Sequence, residues 1–308
     1  MRRDIADSRL SQDAWHPSSA RPDCAPCAKE SCAMASRAPT SNAISAAELV
    51  RTLGSAHHPL VIDVRREAAF VASQHLICGS LYRVPEDVTG WSAELPAGKA
   101  VVVTCAHGHE IGQDTAVALR TAGIDARYLS GGIEGWVEAG YPYLRKTELY
   151  DGTRSTSWIT RARPKIDRIA CPWLIRRFID PQASFHYVPS DQVLAEASTR
   201  NAIPFDIPGV AFSHRGETCT FDSMIADFGL QDEALHTLAG IIRGADASRL
   251  DLTPQSAGLY AISLGLGDLL EDDHALLEAG MPTYDALYRW QRDLTKESHS
   301  WPPKEMAR

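Results

Sequence analysis

The amino-acid sequence predicts an α/β parallel sheet with flanking helices, followed by a second, mainly α (α+β) domain. Three observations predict this. Short apolar runs such as Leu60-Val-Ile and Val101-Val-Val alternate with helix-period stretches over residues 44–144. From residue 158 onward the apolar residues recur mostly at helical spacing. The chain has 308 residues, and single cores usually serve domains of about 100–150.

Residues 1–43 are rich in Ala, Ser and Pro, lack apolar periodicity and read as a disordered tail. Cys24, Cys27 and Cys32 have metal-like spacing there. A structural zinc site takes four ligands, however, and His16 is the nearby imidazole, so the tail reading is preferred. Met34 is an alternative start, since the ordered pattern begins at Ile44. Ser45-Ala-Ala-Glu48 is a capping box that opens a helix through Leu49, Val50 and Leu53. Strands follow at 60–63 and 101–104, then a helix at 112–122. A third strand at 127–129 is closed by the turn Gly131-Gly132.

Residues 145–157 are polar without a period and read as the linker and domain boundary. In 158–296, Ile166, Ile169, Trp173, Leu174 and Phe178 mark a helix ending before Asp180-Pro181. Four further helical patterns cover 232–244, 254–270, 272–279 and 282–294, with short strands expected at 185–188 and 210–213. Residues 297–308 read as a frayed tail.

Composition excludes several classes. No apolar run approaches the roughly 20 residues a spanning helix needs. Net charge is −8 and the 31 basic residues are scattered, so no basic face for direct nucleic-acid binding is expected. Seven cysteines, an odd number at loose spacing, do not make a disulfide framework, and no apolar segment follows the basic start. A reducing cytoplasm is the expected location.

The chemistry concentrates first at Cys105, directly after the apolar run 101–104 and before a glycine-containing loop that enters a helix. Reactive groups of open parallel sheets collect beyond the carboxyl ends of strands. A loop turning its N–H groups inward makes an anion-binding nest, which would favour a thiolate or a persulfide. A merely buried strand-end cysteine is the alternative reading. Asp63 and Arg65 read foremost as a structural ion pair. Cys78 reads as a small buried residue rather than a resolving thiol.

The flanking motifs sharpen this. Asp63-Val-Arg65, Glu67, Phe70, the run Gln74 to Ser80, Leu129-Ser-Gly-Gly132-Ile-Glu-Gly135-Trp136 and Ala139-Gly-Tyr-Pro142 resemble the rhodanese pattern, in family order. The resemblance implies a rhodanese fold in which Cys105 is the sulfur-accepting cysteine. Ala106, His107, Gly108, His109, Glu110 and Ile111 would form the surrounding loop, and Arg65 would be a substrate-side residue. It implies a small-molecule sulfur donor, a thiol or other acceptor, and no cofactor for the transfer. Many members carry an Arg near the end of this loop, where this chain has His107, His109, Glu110 and Ile111. Reduced efficiency with anionic thiosulfate, and a persulfide as donor, are therefore expected.

The second constellation is a cationic block, Arg154 to Arg177, in an acidic chain. Arg161, Arg163, Lys165 and Arg168 are candidate oxyanion ligands, because guanidinium forks suit tetrahedral oxyanions; a solvated helix face is the alternative. His214, Cys219 and Asp222, with His186 and His236 as further imidazoles, could hold a transition-metal ion or serve as structural polar residues. The run Ile166 to Asp180, the segment His214 to Asp222 and the run Ala257 to Gly265 resemble the C-terminal domain of the ChrB-type chromate-resistance family. That resemblance implies a role in chromate or other oxyanion resistance. The expectation is a cytoplasmic rhodanese-type sulfurtransferase coupled to a chromate-resistance domain in a stress response. The alternative is a non-catalytic oxyanion or redox sensor that controls gene expression through a partner.

Overall fold

The computed structural model describes residues 42–297. The expected tail with His16, Cys24, Cys27, Cys32 and Met34, and residues 298–308, lie outside the described residues. The first half is built on β1 (Ala43–Ile44), β2 (Leu60–Asp63), β4 (Ser80–Tyr82), β5 (Val101–Thr104) and β6 (Ala126–Leu129), a parallel sheet in the order β1-β6-β5-β2-β4. All four residues of β2 and all four of β5 are buried, as expected of central strands covered on both faces. Among the described residues five helices flank the sheet: α1 (Ala46–Val50), α2 (Glu67–Ala72), α3 (Val88–Ser92), α4 (Glu110–Thr121) and α5 (Gly132–Glu138). The capping box of α1 is formed: Glu48 N–H donates to Ser45 Oγ at 3.2 Å, and Ser45 N–H donates to Glu48 Oε2 at 2.9 Å. A short antiparallel pair, β3 (His75–Ile77) with β7 (Tyr143–Arg145), lies outside the main sheet.

The second half is mainly helical, with a small parallel sheet in the order β10-β8-β9: β8 (Ser157–Arg161), β9 (Ser184–Val188) and β10 (Ile203–Pro204). Its helices are α6 (Asp167–Leu174), which widens into a π-type turn through Ile179, α7 (Val193–Arg200), α8 (Thr220–Asp227), α9 (Glu233–Asp246), α10 (Ser256–Leu269) and α11 (Asp273–Arg289). Two sequence expectations are corrected here. Residues 272–294 form one continuous helical rod, not two helices. Pro282 forgoes one backbone hydrogen bond, but Leu276, Leu277 and Gly280 before it and Tyr284 and Tyr288 after it are buried, so packing holds the helix through the proline. Residues 210–213 make no strand: Phe212 has a single isolated bridge to Phe205, and its ring stacks on Phe228 with centroids 5.8 Å apart.

The two halves share one core. Leu53, Phe70, Leu76, Cys78 and Leu144 belong to the same buried cluster as Trp173, Phe178 and Tyr288. Residues 145–157, expected as a linker, are pinned rather than free. Tyr150 is buried and donates to Ser80 O at 3.1 Å, and Tyr82 N–H donates to Gly152 O at 2.8 Å. Arg292 and Arg289 donate to the carbonyls of Val50 and Arg51 (2.9 Å each), satisfying the orphan carbonyls at the end of α1. Among the described residues, no helix is long and apolar enough to cross a membrane.

Candidate active site

Cys105 follows β5 and sits, 5% exposed, in a cavity of about 690 Å³ lined chiefly by Arg65, Arg66, Ala106, His107, His109 and Glu110. Its loop is clamped from below. Ile133 N–H donates to Cys105 O (2.9 Å) and Glu134 N–H to Ala106 O (3.0 Å), so the start of α5 holds the loop's carbonyls. Gln113 Nε2 donates to Gly108 O at 3.0 Å. Gly108 (φ +71°) and Gly132 (φ +59°) stand where the loop meets the 131–132 turn. A Cβ on Gly108 would lie 2.5 Å from Leu129 O, and one on Gly132 would overlap the carbonyls of Cys105 and Ala106.

With the carbonyls held, the amides are left free. Among the described residues, no oxygen accepts a hydrogen bond from the backbone N–H groups of Ala106 through Gly112. Those of Glu110, Ile111 and Gly112 open α4, where the helix dipole favours negative charge. Glu110 itself sits at this positive end, which explains an acidic residue beside a loop of unpaired amides. The thiol makes one long contact, Sγ to His109 O at 4.0 Å, and a Cβ on Gly112 would come within 3.1 Å of Sγ. The small residue at 112 therefore leaves room for sulfur. Gly132→Ala is expected to combine left-handed strain with overlap and to lower stability by about 2 kcal/mol or more, read as a shifted urea midpoint.

Arg65 also lines the cavity, but its guanidinium is committed: Nε and Nη2 donate to Asp63 at 2.6–3.1 Å, and Nη2 to His75 O at 3.0 Å. Both side chains are buried, so this is the ion pair read from the sequence. Arg66, which sequence reasoning passed over, is exposed at the cavity wall, and its side chain makes no hydrogen bond or ion pair among the described residues. Its signal was available, because it lies just past the carboxyl end of β2. Of the four cysteines described, Cys78, Cys171 and Cys219 have thiols pushed up by burial. Cys78 donates to Pro142 O at 3.4 Å within the shared core, away from the Cys105 cavity.

In the second half the candidate oxyanion ligands do not converge on an open site. Arg161 Nη2 donates to Asp206 at 3.0 Å, and Arg168 donates to the carbonyls of Arg161 and Ala162 while its Nε lies 3.3 Å from Asp206. Arg163 caps the end of α10 through the carbonyls of Gly267, Leu270 and Glu271, and Lys165 is exposed. Backbone carbonyls and the buried Asp206 thus engage all three arginines, although Arg161 Nε is buried without a partner among the described residues. The expected metal set is dispersed too. His186 pairs with Ser157 Oγ at 3.0 Å, Asp222 binds Arg243 at 2.8 Å and caps Cys219 N–H at 3.0 Å, and Cys219 is buried.

Only His214 of that set enters a ligand-type cluster, with three aspartates the sequence did not single out. Its Nε2 lies 3.6 Å from Asp167, 3.5 Å from Asp206 and 3.3 Å from Asp246. Asp167, Asp206 and His214 offer atoms close enough to share one cation. Asp167 is wholly buried, and desolvation with the charges of Asp246 and Asp206 pushes its carboxyl up to about 8. It accepts from the N–H groups of Thr220 (2.7 Å) and Phe221 (3.1 Å), so it also ties α6 to α8. Asp206 and Ile166 adopt left-handed φ values (+52° and +35°) beside it. These groups come from separate elements, so no sequence spacing announces them.

A strand-end cysteine, a clamped loop of free amides and a helix start on a five-stranded parallel sheet define a rhodanese-like domain. The comparisons agree: a family model described as rhodanese-like domain matches residues 45–139, and one described as ChrB, C-terminal domain matches residues 158–291. The chain thus joins a rhodanese-like domain to a ChrB C-terminal domain. It is 35% identical over 151 residues to Protein ChrB of Cupriavidus metallidurans, a match covering 49% of this chain and 44% of that protein. The chain therefore spans less than half the length of this curated relative. Among solved structures, a rhodanese-related protein from Thermoplasma volcanium is 27% identical, with a TM-score of 0.29, covering 33% of this chain and 95% of that one. A full-length protein from Lactobacillus plantarum is 27% identical, with a TM-score of 0.32, covering 34% and 89%.

Proposed function

We propose that the chain is a sulfurtransferase in which Cys105 carries sulfane sulfur as a persulfide. One observation carries this reading: the Cys105 sulfur opens onto a cavity beside seven backbone amides that have no acceptor among the described residues. The thiolate attacks the sulfane sulfur of the donor, forming an S–S bond at Cys105. The bond from that sulfur to the rest of the donor breaks and its electron pair leaves with the departing sulfite or thiolate. A thiol or cyanide then attacks the terminal sulfur and returns the Cys105 thiolate, so the cycle is redox-neutral and needs no cofactor. The amides stabilise the anionic sulfur at each stage. The match to ChrB supports placing this chemistry in resistance to chromate or a related oxyanion; the odd number of loosely spaced cysteines favours a reducing cytoplasm.

Loading with thiosulfate, and separately with a low-molecular-weight persulfide, tests this by mass spectrometry of the Cys105 peptide. A gain of one sulfur atom, removed by cyanide, is expected. Folded, reduced protein that gains none with either donor sinks the reading and leaves the sensor alternative. Arg66 supplies the unpaired cation that the loop lacks, so Arg66→Ala should lower kcat/KM for thiosulfate by roughly tenfold. The loss should be smaller for a donor of lower charge and should shrink at high salt; equal loss for both donors would remove Arg66 from donor selection.

A further inference from the structure

A second, smaller cavity of about 170 Å³ opens where the two halves meet, lined among others by Ser55, His58, Lys99, Arg176, Arg177 and Gln182. Three cations face it, and among the described residues no carboxylate lines it. Arg176 is paired with Glu278 at 2.5 Å and Arg177 with Asp285 at 2.8 Å. Lys99 Nζ donates to Ala56 O at 3.0 Å and has no carboxylate partner among the described residues. Burial and the nearby Arg177 charge lower the Lys99 ammonium, which is the mark of uncompensated positive charge.

His58 gives this cavity a particular chemistry. Thr52 Oγ1 donates its single proton to Leu49 O at 2.8 Å, so its 2.9 Å contact with His58 Nδ1 is donated by the ring. Nδ1 therefore carries the proton of a neutral imidazole, and Nε2 is a bare lone pair. Nε2 is buried without a hydrogen-bond partner among the described residues. Desolvation, with Lys99 and Arg177 adding repulsion, pushes the ring down to about 3, which keeps it neutral. An acceptor nitrogen among three cations matches a ligand that is both an anion and an O–H donor.

We propose that this cavity binds a small oxyanion that retains a proton at neutral pH. Its oxygens pair with Lys99 and the two arginines, and its O–H donates to His58 Nε2. The volume suffices, since a water occupies about 30 Å³. A fully deprotonated oxyanion such as sulfate would set lone pair against lone pair at Nε2 and is disfavoured. The lining comes from both halves, so the bound ion fastens one to the other and raises the unfolding temperature by linkage.

The test uses the full chain, with inorganic phosphate as the probe against sulfate and chloride at equal ionic strength, read by thermal unfolding and calorimetry. Phosphate should act saturably and sulfate should bind about tenfold more weakly or worse. Lys99→Met, on a half-exposed loop that tolerates change, should abolish the phosphate response. His58→Phe should keep anion binding but lose the preference for phosphate. Phosphate and sulfate acting alike, or a response unchanged in Lys99→Met, would overturn the proposal.

Discussion

Cys105→Ser is expected to bring thiocyanate formation down to background, a loss of roughly three orders of magnitude or more, because among the described residues no other thiol is placed to hold the transferred sulfur. A serine oxygen cannot form the persulfide. The other described cysteines are buried and pushed toward the neutral thiol, so none substitutes. The fold should change little: the polar contact of Sγ is a 4.0 Å approach to His109 O, Ser conserves the volume packed in the sheet's core, and the loop is fixed by the backbone bonds of Ile133 and Glu134. A change in unfolding free energy within about 1 kcal/mol is expected. Thiocyanate formation that survives in a folded Cys105→Ser protein would end the persulfide reading. Loss of both folding and activity would instead identify Cys105 as a packing residue.

The sheet was legible because β2 and β5 are short runs buried on both faces, which leaves an unbroken apolar signature between polar segments. Cys105 was legible for the same reason, since a nucleophile at the end of such a strand precedes a glycine loop and a helix. β1 was missed because two residues, Ala43 and Ile44, carry no periodicity; the partner backbone of Tyr128 and Leu129 makes them a strand. β8 was missed because Ser157, Thr160 and Arg161 interrupt its apolar face. The shared core was hidden as well. Leu53 and Phe70 look like core residues of one domain and Trp173 of another, and only the tertiary structure puts them in one cluster. The His214 cluster gathers Asp167 from α6, Asp206 from the loop after β10 and Asp246 from the end of α9, which sequence spacing could not reveal.

His58 should make the protein acid-labile in a way that one substitution removes. The unfolded imidazole titrates near 6.5, whereas burial beside Lys99 and Arg177 holds the folded ring at about 3. Between those values the unfolded chain binds the extra proton and the folded chain does not. This contribution to stability is therefore intact above about pH 6.5 and is lost as pH falls toward 3. At pH 5 the loss from this group is about 2 kcal/mol. Asp167 acts with the opposite sign: its carboxyl is raised to about 8, so the folded state gains stability as pH falls below that value. The net profile of the wild type mixes the two, and only a difference isolates the histidine. His58→Phe keeps a ring of similar size but has no titrating nitrogen, at the cost of the Thr52 contact at all pH values. Urea unfolding at pH 7.5, 6 and 5 should therefore show the variant less stable than wild type at the top of the range and closing the gap, or overtaking it, at the bottom. A gap that stays constant with pH would mean that the folded ring is protonated normally, and the seam between the two halves would then hold a charged histidine.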